Sequence, residues 1–342
     1  MKLFVYEHIT SGALAGQELP SSLAREGDEM LSSVVADCHS LSQLELIILR
    51  DSRLSNLSSI FDNDTTHQCH KVSSPSAFQQ LWLQNLKSCD AVFIIAPETN
   101  NVLAELQQQA IVLDKTILGC QPSTIALSSN KLNCDQQLNH HNITTPESCL
   151  ASNWLQQKFI HSDGYIVKPI DGAGCIDTLI FDSIPELEQY LVQQTPNVLQ
   201  HHIIQAYQQG TATSLSLLMS EDDILVLAIN RQKISREYNK LIFNGCEVNG
   251  INPLIFSTSQ ALALGQQIQK AIPGLWGFIG VDLILTKRQA IVVDLNPRLT
   301  TSYVGLKQSI AINPMELLFL MKEQGMSFLP PIRQRQQVDI IL

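Results

Sequence analysis

The sequence predicts an α/β protein that begins with a doubly wound parallel sheet and continues into a mixed region richer in strands. Three observations predict this class. Strand-like and helix-like runs alternate up to about residue 118, and strand-like segments dominate from about residue 206 onward. The chain has 342 residues, 44% of them hydrophobic, which is enough for two or three separately packed domains.

The N-terminal 118 residues contain four apolar runs that we predict to be strands: KLFVYE, LELIILRD, DAVFIIAPE and TILG. The segments between them have helical spacing; in the first, one side of the helix carries Met30, Leu31, Val34, Val35 and Cys38. SPSAFQQLWLQNLKS is a second predicted helix, with a Ser-Pro start signal, and NNVLAELQQQAIVLDK is a third. This order predicts a parallel sheet with helices on both faces.

The bulk composition argues against several classes of partner. The net charge of −10 disfavours a nucleic-acid or anionic-membrane surface, and no apolar run is long enough to cross a membrane. The N-terminal residues MKLFVYEHITSG read as a first strand, so we expect a cytoplasmic protein. The eight cysteines are scattered without a CxxC pair, and we expect them to be reduced. The sequence leaves the oligomeric state open, a homodimer included.

The segment HQCH, residues 67–70, has the residue types of a metal clip. It has no second cluster of ligands, and we predict a solvated polar loop there instead.

Three acidic residues stand at the ends of predicted strands: Glu7, Asp51 and Glu98. Ligands of parallel sheets bind beyond the carboxyl ends of the strands, so these acids predict an edge that binds a cation such as an amine. Helix capping or a solvated loop position is the alternative for each of them. No GxGxxG follows the first strand and no GxxxxGK[ST] occurs, which disfavours a dinucleotide-binding domain and excludes a P-loop.

The segment YIVKPIDGAGC ends an apolar strand with Lys168 and continues into a turn that carries Gly172 and Gly174. A lysine followed by a glycine turn can cradle a phosphate, because backbone N–H groups approach an anion closely where no Cβ intervenes. An ordinary glycine hairpin is the alternative.

The apolar run AIVVDLNPR ends in Asp294, Asn296 and Arg298, and Asp282 interrupts the apolar run before it. The twelve-residue spacing fits a hairpin that places both carboxylates on one face. Carboxylate and amide oxygens suit Mg²⁺, which binds one or two carboxylates together with substrate phosphates, and Arg298 would contact phosphate oxygens. The alternative is a strand end at which Arg298 pairs with Asp294.

Together these motifs occur in the order seen in the ATP-grasp superfamily: Lys131 in SSNKL, Lys168 before DGAG, then IIQAYQQGTATSLSLL, GVDLIL and VVDLNPR. The resemblance covers about residues 115 to 310. It implies that Lys131 and Lys168 contact ATP phosphates and that Arg298 contacts the transferred phosphoryl group. It also implies an adenine hinge at Gln205, Ala206 and Tyr207, and one or two Mg²⁺ ions, with Mn²⁺ as a substitute, on Asp282, Asp294 and Asn296.

Two residues depart from the pattern of that superfamily. The second metal ligand is usually Glu, whereas this chain has the shorter Asp294. The hinge often carries Glu where Ala206 stands, which leaves recognition of the ribose open.

The resemblance also implies the domain organisation: a pre-ATP-grasp α/β domain at 1–118, then a two-subdomain α+β ATP-grasp fold. Its lid subdomain would be 119–205, and its C-terminal subdomain, with the metal site, 206–342. FVYEHITSGAL, ELPSSLAREGDEML, IIAPETN and GTATSLSLL are similar to segments of tyramine–glutamate ligases, which serve methanofuran-type cofactor synthesis.

The implied activity is ligation of a carboxylate, with L-glutamate as the candidate, to an amine, with tyramine as the candidate, through an acyl phosphate. Arg231 would face the phosphoryl group or the substrate carboxylate, with an exposed strand-end arginine as the alternative. Glu7 and Glu98 are the candidates to orient the amine or to take its proton. A kinase-like ATP-grasp phosphotransferase and a non-catalytic nucleotide-binding regulatory module are the rival functions.

Overall fold

The N-terminal part of the molecule is a parallel sheet of five strands in the order β3-β2-β1-β4-β5. The computed structural model describes residues 1–41, 43–57, 66–172 and 174–342. Within them the five strands are β1 (Lys2–Glu7), β2 (Glu45–Asp51), β3 (Gln68–Val72), β4 (Ala91–Ile95) and β5 (Thr116–Ile117). The predicted parallel sheet is confirmed.

Helices cover both faces of this sheet because alternate residues of β1 point to opposite sides. Phe4 and Tyr6 pack into one core with α2 and α3, whereas Leu3 and Val5 pack into another with α1. The helices are α1 (Ser21–His39), α2 (Pro75–Ser88) and α3 (Val102–Val112). The Ser-Pro start signal of α2 is a true cap, since the Ser74 hydroxyl accepts a hydrogen bond from the Ala77 N–H.

The prediction of a solvated loop at HQCH was wrong for most of that segment. Residues Gln68–Val72 form β3, which pairs in parallel with β2 along one edge of the sheet. His67, just before the strand, accepts a hydrogen bond from the Leu46 N–H and contacts His39. Polar side chains are tolerated in β3 because an edge strand is covered on fewer sides, and this hid the strand from an apolar-pattern search.

The rest of the chain builds a second, largely antiparallel sheet in the order β14-β13-β10-β11-β12-β8-β7-β9-β6, with β15 paired to β12. Its strands are β6 (Ser148–Leu150), β7 (Tyr165–Pro169), β8 (Leu179–Phe181), β9 (His202–Ala206), β10 (Thr211–Met219), β11 (Ile224–Glu237), β12 (Lys240–Val248), β13 (Gly277–Leu285), β14 (Ala290–Asn296) and β15 (Val338–Ile341). The accompanying helices are α4 (Pro122–Ser129), α5 (Lys131–His140), α6 (Ile184–Val192), α7 (Pro196–His201), α8 (Thr258–Ala271), α9 (Tyr303–Ile310) and α10 (Pro314–Gln324).

The second sheet has two halves that meet at one registered residue pair, Lys240 of β12 with Leu179 of β8. The half formed by β6 to β9 has its own small core, which runs from Cys149 to Ala206. Helix α5 does not belong to that core, since Cys134 and Leu138 pack into the larger one. The packing therefore changes near residue 147, and the domain boundaries predicted at 118 and 205 stay predictions.

The N-terminal sheet is fastened to the C-terminal helices through α1. The Tyr303 hydroxyl donates to the Asp37 carboxylate at 2.8 Å, and the Asn313 amide donates to the Asp37 carbonyl at 2.9 Å. All eight cysteines are free thiols. Among the described residues, no helix combines the length and apolar character that a membrane span requires.

We expect Gly27→Ala to destabilise the protein by about 1–3 kcal/mol, because a Cβ there would lie 2.7 Å from the buried Glu7 carboxyl group. Gly265→Ala is the matched control in another helix, since its Cβ would meet only side-chain methyl groups at 3.4 Å. That change should be neutral or stabilise by up to about 1 kcal/mol. Urea unfolding of both variants measures the difference, and equal stabilities would contradict the close approach of α1 to Glu7.

Candidate active site

A cavity of about 750 Å³ lies between the carboxyl ends of β1 and β4 and the inner face of the second sheet. This volume is in the range of small-molecule sites. Two of the sequence-predicted site residues, Asp51 and Glu98, do not line the cavity. The others do: Glu7, Lys131, Lys168, Gly172, Gly174, Gln205, Ala206, Tyr207, Arg231, Asp282, Asp294, Asn296 and Arg298. The structure thus brings together residues from 7 to 298.

The two aspartates face each other across the β13–β14 hairpin. Asp282 and Asp294 are direct cross-strand partners, next to a register shift between Asp282 and Leu283. The Asp282 carboxylate accepts hydrogen bonds from the amides of Gln232 at 2.9 Å and Asn296 at 3.3 Å. Burial and then the charge of Asp294 raise the pKa of Asp282 to about 7. Sequence reasoning missed Gln232, whose place opposite Asp282 depends on the pairing of β10 with its two neighbours.

Two lysines reach the same hairpin from different elements. Lys131 begins α5, and its ammonium group donates to both carboxylate oxygens of Asp294 at 2.8 Å and to the Gly172 carbonyl at 2.7 Å. Burial alone would lower the pKa of Lys131, but Asp294 more than offsets it and the pKa is raised. Lys168 donates to the Val293 carbonyl at 3.1 Å. Burial, and then repulsion from Lys131, lower the pKa of Lys168.

Arg298 pairs with Glu98 rather than with Asp294. Its guanidinium group donates to Glu98 Oε2 at 3.0 Å, and its Nε lies 2.9 Å from Glu98 Oε1 without hydrogen-bond alignment. Burial lowers the pKa of Arg298, but Glu98 more than offsets it. Glu98 therefore lies behind Arg298, outside the cavity wall. Arg231 is more exposed, and its Nε lies 3.4 Å from Glu247.

The glycine turn after β7 is held to the lysine helix through its carbonyl groups. Besides the bond from Gly172 to the Lys131 side chain, the Ile170 carbonyl accepts the Lys131 backbone N–H at 3.0 Å. Gly174 has a left-handed backbone with φ of 64°, which glycine adopts without strain. Ala173, inside the DGAG motif, lies outside the described residues.

The predicted hinge residues stand at the end of β9, on the cavity wall. Gln205 is buried and its amide nitrogen lies 3.4 Å from the Asp135 carboxylate, which also accepts the Ser148 hydroxyl at 2.9 Å. Burial raises the pKa of Asp135 to about 6. Sequence reasoning missed Asp135, although it lies four residues after Lys131 and so shares that face of α5. The backbone N–H groups of Ala206 and Tyr207 donate to carbonyls within the same half of the sheet.

The three acids at the strand ends do not share a site. Glu7 is buried and accepts hydrogen bonds from the Thr10 N–H at 2.7 Å and the Thr10 hydroxyl at 2.6 Å. Burial raises the pKa of Glu7 to about 7. Asp51 is ion-paired with Arg53 at 2.7 Å and does not line the cavity. A further cavity-lining acid that sequence reasoning missed is Glu26, which accepts the Thr301 hydroxyl.

The donor set on the hairpin fits a hard divalent cation. Asp282, Asp294 and Asn296 present oxygen atoms to one cavity, and the two carboxylates face each other closely enough that Asp294 raises the pKa of Asp282. Within residues 1–41, 43–57, 66–172 and 174–342, no three His, Cys, Asp or Glu residues are grouped as metal ligands. A cation bound here would be held by two carboxylates, one amide and groups of a bound substrate.

The chain is similar to known families and solved structures. Residues 128–302 match the family profile described as an ATP-grasp domain, and residues 44–125 match a pre ATP-grasp 3 domain. A crystal structure of an ATP-grasp superfamily protein from Archaeoglobus fulgidus superposes with a TM-score of 0.69 at 22% identity, covering 98% of this chain and 91% of that one. The prediction of this fold is confirmed.

Two curated relatives carry the name tyramine–L-glutamate ligase. The protein from Methanocaldococcus fervens is 28% identical over 218 residues, 64% of this chain and 62% of its own length. The protein from Methanocaldococcus jannaschii is 28% identical over 221 residues, 65% of this chain and 59% of its own length. This chain therefore spans about three fifths of the relatives it matches.

We expect Glu7→Gln to flatten the pH dependence of stability between about pH 4.5 and 7, because the pKa of Glu7 rises from 4.5 to about 7 on folding. A raised carboxyl pKa contributes stability that is full below pH 4.5 and is lost as the pH rises through 7. The wild type should lose on the order of 3 kcal/mol more than the variant across this range.

Urea unfolding at a series of pH values measures this difference. The matched control is Glu18→Gln, which changes an exposed glutamate and should keep the wild-type slope. An unchanged slope in Glu7→Gln would contradict the assigned titration.

Proposed function

This chain belongs to the ATP-grasp family, and from that premise we propose that it is an ATP-dependent, ADP-forming ligase that joins a carboxylate to an amine through an acyl phosphate. The observation that carries the proposal is the β13–β14 hairpin, where Asp282 and Asp294 face each other beside the Lys131 ammonium group. Lys131 bonds to Asp294, whereas the hydrogen bonds to Asp282 come from the neutral amides of Gln232 and Asn296. Two enclosed carboxylates in direct opposition are unfavourable with one bonded lysine between them. A divalent metal bound with a nucleotide would supply further positive charge.

Lys168 supports the nucleotide part of the proposal. Its ammonium group is enclosed, donates to one carbonyl, and has a lowered pKa because of burial and the nearby Lys131. A cation in this state gains from an added anion, since an opposite charge at close range restores the charged form. The triphosphate of ATP is such an anion. The glycine turn lines the same cavity as Lys168.

Asp282, Asp294 and Asn296 would hold Mg²⁺, which supplies neutralisation of phosphate charge and a template for the phosphate oxygens. Lys131 and Lys168 would bind phosphate oxygens from two sides, and Arg298 would stabilise the transferred phosphoryl group. Gln205, Ala206 and Tyr207 would border the adenine. The hinge and both lysines lie along one cavity, which supports this order of contacts.

The reaction has two steps in this proposal. A carboxylate oxygen of the substrate attacks the γ-phosphorus of ATP, and the bond from that phosphorus to the β-phosphate oxygen breaks. ADP departs, and the substrate becomes an acyl phosphate. The amine nitrogen then attacks the acyl carbon, phosphate departs, and the nitrogen loses a proton to give the amide. The protein contributes positioning, charge neutralisation and exclusion of water, which would otherwise hydrolyse the acyl phosphate.

The end of the cavity lined by Glu7 and Glu26, which we call the amine end, differs most from the sequence-based hypothesis. Glu98 is bound to Arg298, so we assign it the role of orienting that guanidinium group. Glu7 accepts three hydrogen bonds from Ile9 and Thr10 but still lines the cavity, together with Glu26. These two carboxyl groups would accept hydrogen bonds from the ammonium group of a substrate.

L-glutamate and tyramine are the first substrates to test, because both curated relatives are named for them. The walls at the amine end support an amine with an apolar body, since Leu23, Met30 and Ile95 line the cavity beside Glu7 and Glu26.

We expect ADP release that requires both an acid and an amine, with L-glutamate and tyramine as the leading pair. The measurement is a screen of ADP release and amide formation over amino acid and amine pairs with Mg²⁺ and ATP. Lys168→Ala gives the background, since it removes a phosphate contact. Phosphorylation of an acceptor without any amine would favour a kinase-like phosphotransferase, and nucleotide binding without turnover would favour a regulatory module.

We expect Asp294→Asn to raise the Mg²⁺ concentration for half-maximal ATP turnover by at least about tenfold, because it removes a carboxylate charge from the donor set. Asp135→Asn is the matched control, since Asp135 is an enclosed carboxylate that acts on Lys168 and Lys131 but does not face Asp282. If both variants shift the Mg²⁺ titration equally, the effect comes from the lysines and the metal assignment is wrong.

A further inference from the structure

The turn after β4 and the glycine turn after β7 are joined by one residue, Asp171. Its carboxylate accepts the backbone N–H of Asn100 at 2.8 Å, and its backbone carbonyl accepts the Thr99 hydroxyl at 3.2 Å. These bonds connect the N-terminal sheet to the β6–β9 half of the second sheet, across more than 70 residues of sequence. They lie beside the cavity, which both Thr99 and Gly172 line.

The turn that receives Asp171 has a backbone conformation that needs outside support. Asn100 and Asn101 are both left-handed, with φ of 56° and 59°, a region that Asn tolerates better than most residues but that still carries strain. The Asn101 N–H bonds back to the Glu98 carbonyl, while the Asn100 N–H points to Asp171. Asp171 therefore fixes the turn that begins at Glu98, the partner of Arg298.

On its other side, Asp171 is flanked by two residues bound to Lys131. The Ile170 carbonyl accepts the Lys131 backbone N–H, and the Gly172 carbonyl accepts its ammonium group. One three-residue segment thus contacts the phosphate-end lysine and the turn that carries the Arg298 partner. Displacing this segment would disturb both ends of the cavity wall together.

We propose that Asp171 is a positioning residue that holds the glycine turn against the Thr99–Asn100 turn and so closes the cavity wall between the phosphate end and the amine end. The inference rests on the proposed ligase function, because its consequence is protection of the acyl phosphate. With the wall closed, water is kept from the acyl carbon while the amine binds. With Asp171 removed, more ATP is consumed for each amide formed.

The first test does not depend on turnover. Hydrogen–deuterium exchange is measured by mass spectrometry on the full chain with MgADP bound, in Asp171→Ala, Asp171→Asn and wild type. Peptides that contain residues 98–103 should exchange about tenfold faster in Asp171→Ala, because the Asn100 N–H loses a charge-assisted acceptor. Asp171→Asn keeps an acceptor oxygen and should remain within about threefold of wild type.

Asp222→Ala is the control, because Asp222 is an exposed carboxylate in the β10–β11 turn. That turn follows Met219, at the far end of β10 from Thr211, which lines the cavity. Wild-type exchange at residues 98–103 in Asp171→Ala would overturn the proposed contact.

The second test measures coupling as the ratio of ADP released to amide formed. This ratio should rise at least about twofold in Asp171→Ala and return toward wild type in Asp171→Asn. Faster exchange with an unchanged ratio would overturn the positioning role, since the contact would then be only structural. If the wild type forms no amide with any pair, the ligase function fails, and the exchange experiment alone decides whether Asp171 holds the two turns together.

Discussion

The site depends on one constraint: two carboxylates are built directly opposite each other on neighbouring strands. Asp282 and Asp294 repel each other, and like charges in that position destabilise a sheet. The fold offsets the repulsion with the Lys131 ammonium group on Asp294 and the Gln232 and Asn296 amides on Asp282. Burial, and then the charge of Asp294, still raise the pKa of Asp282 to about 7. A bound cation would relieve the unfavourable charge of this arrangement.

Among the described residues, Lys131 and Arg298 each have a carboxylate partner, whereas the hydrogen bond of Lys168 goes to a carbonyl group. Lys131 holds Asp294, and Arg298 holds Glu98, and each has a raised pKa despite burial. Lys168 holds a carbonyl group, and its pKa is lowered. A phosphate would therefore complete the environment of Lys168, whereas Lys131 and Arg298 would extend or exchange bonds that already orient them. Pairing before binding keeps these long side chains ordered and reduces the entropy lost on binding.

Local patterns predicted the parts of the site that depend on local geometry. The twelve residues from Asp282 to Asp294 fit a hairpin because alternation and a short turn fix a register. The parallel sheet followed from the alternation of strands and helices. The Glu98–Arg298 pair could not be predicted, since it joins residues 200 positions apart whose meeting depends on how the two sheets pack. Strand β12 was not predicted because its polar residues have no single buried face, and Asp171 was hidden because its partner is a backbone N–H.

The two lysines lie on either side of the joint between the halves of the second sheet, where β12 meets β8. The halves of that sheet share one registered pair, so little backbone pairing resists a hinge motion between them. Lys131 belongs to a helix packed on the larger core, yet its ammonium group binds the Gly172 carbonyl of the smaller half. Lys168 belongs to the smaller half, yet its ammonium group binds the Val293 carbonyl of the larger one. The two lysines thus cross the joint in opposite directions. A triphosphate that binds both would hold the halves together, and it would couple nucleotide binding to closure through the same atoms that carry the charge.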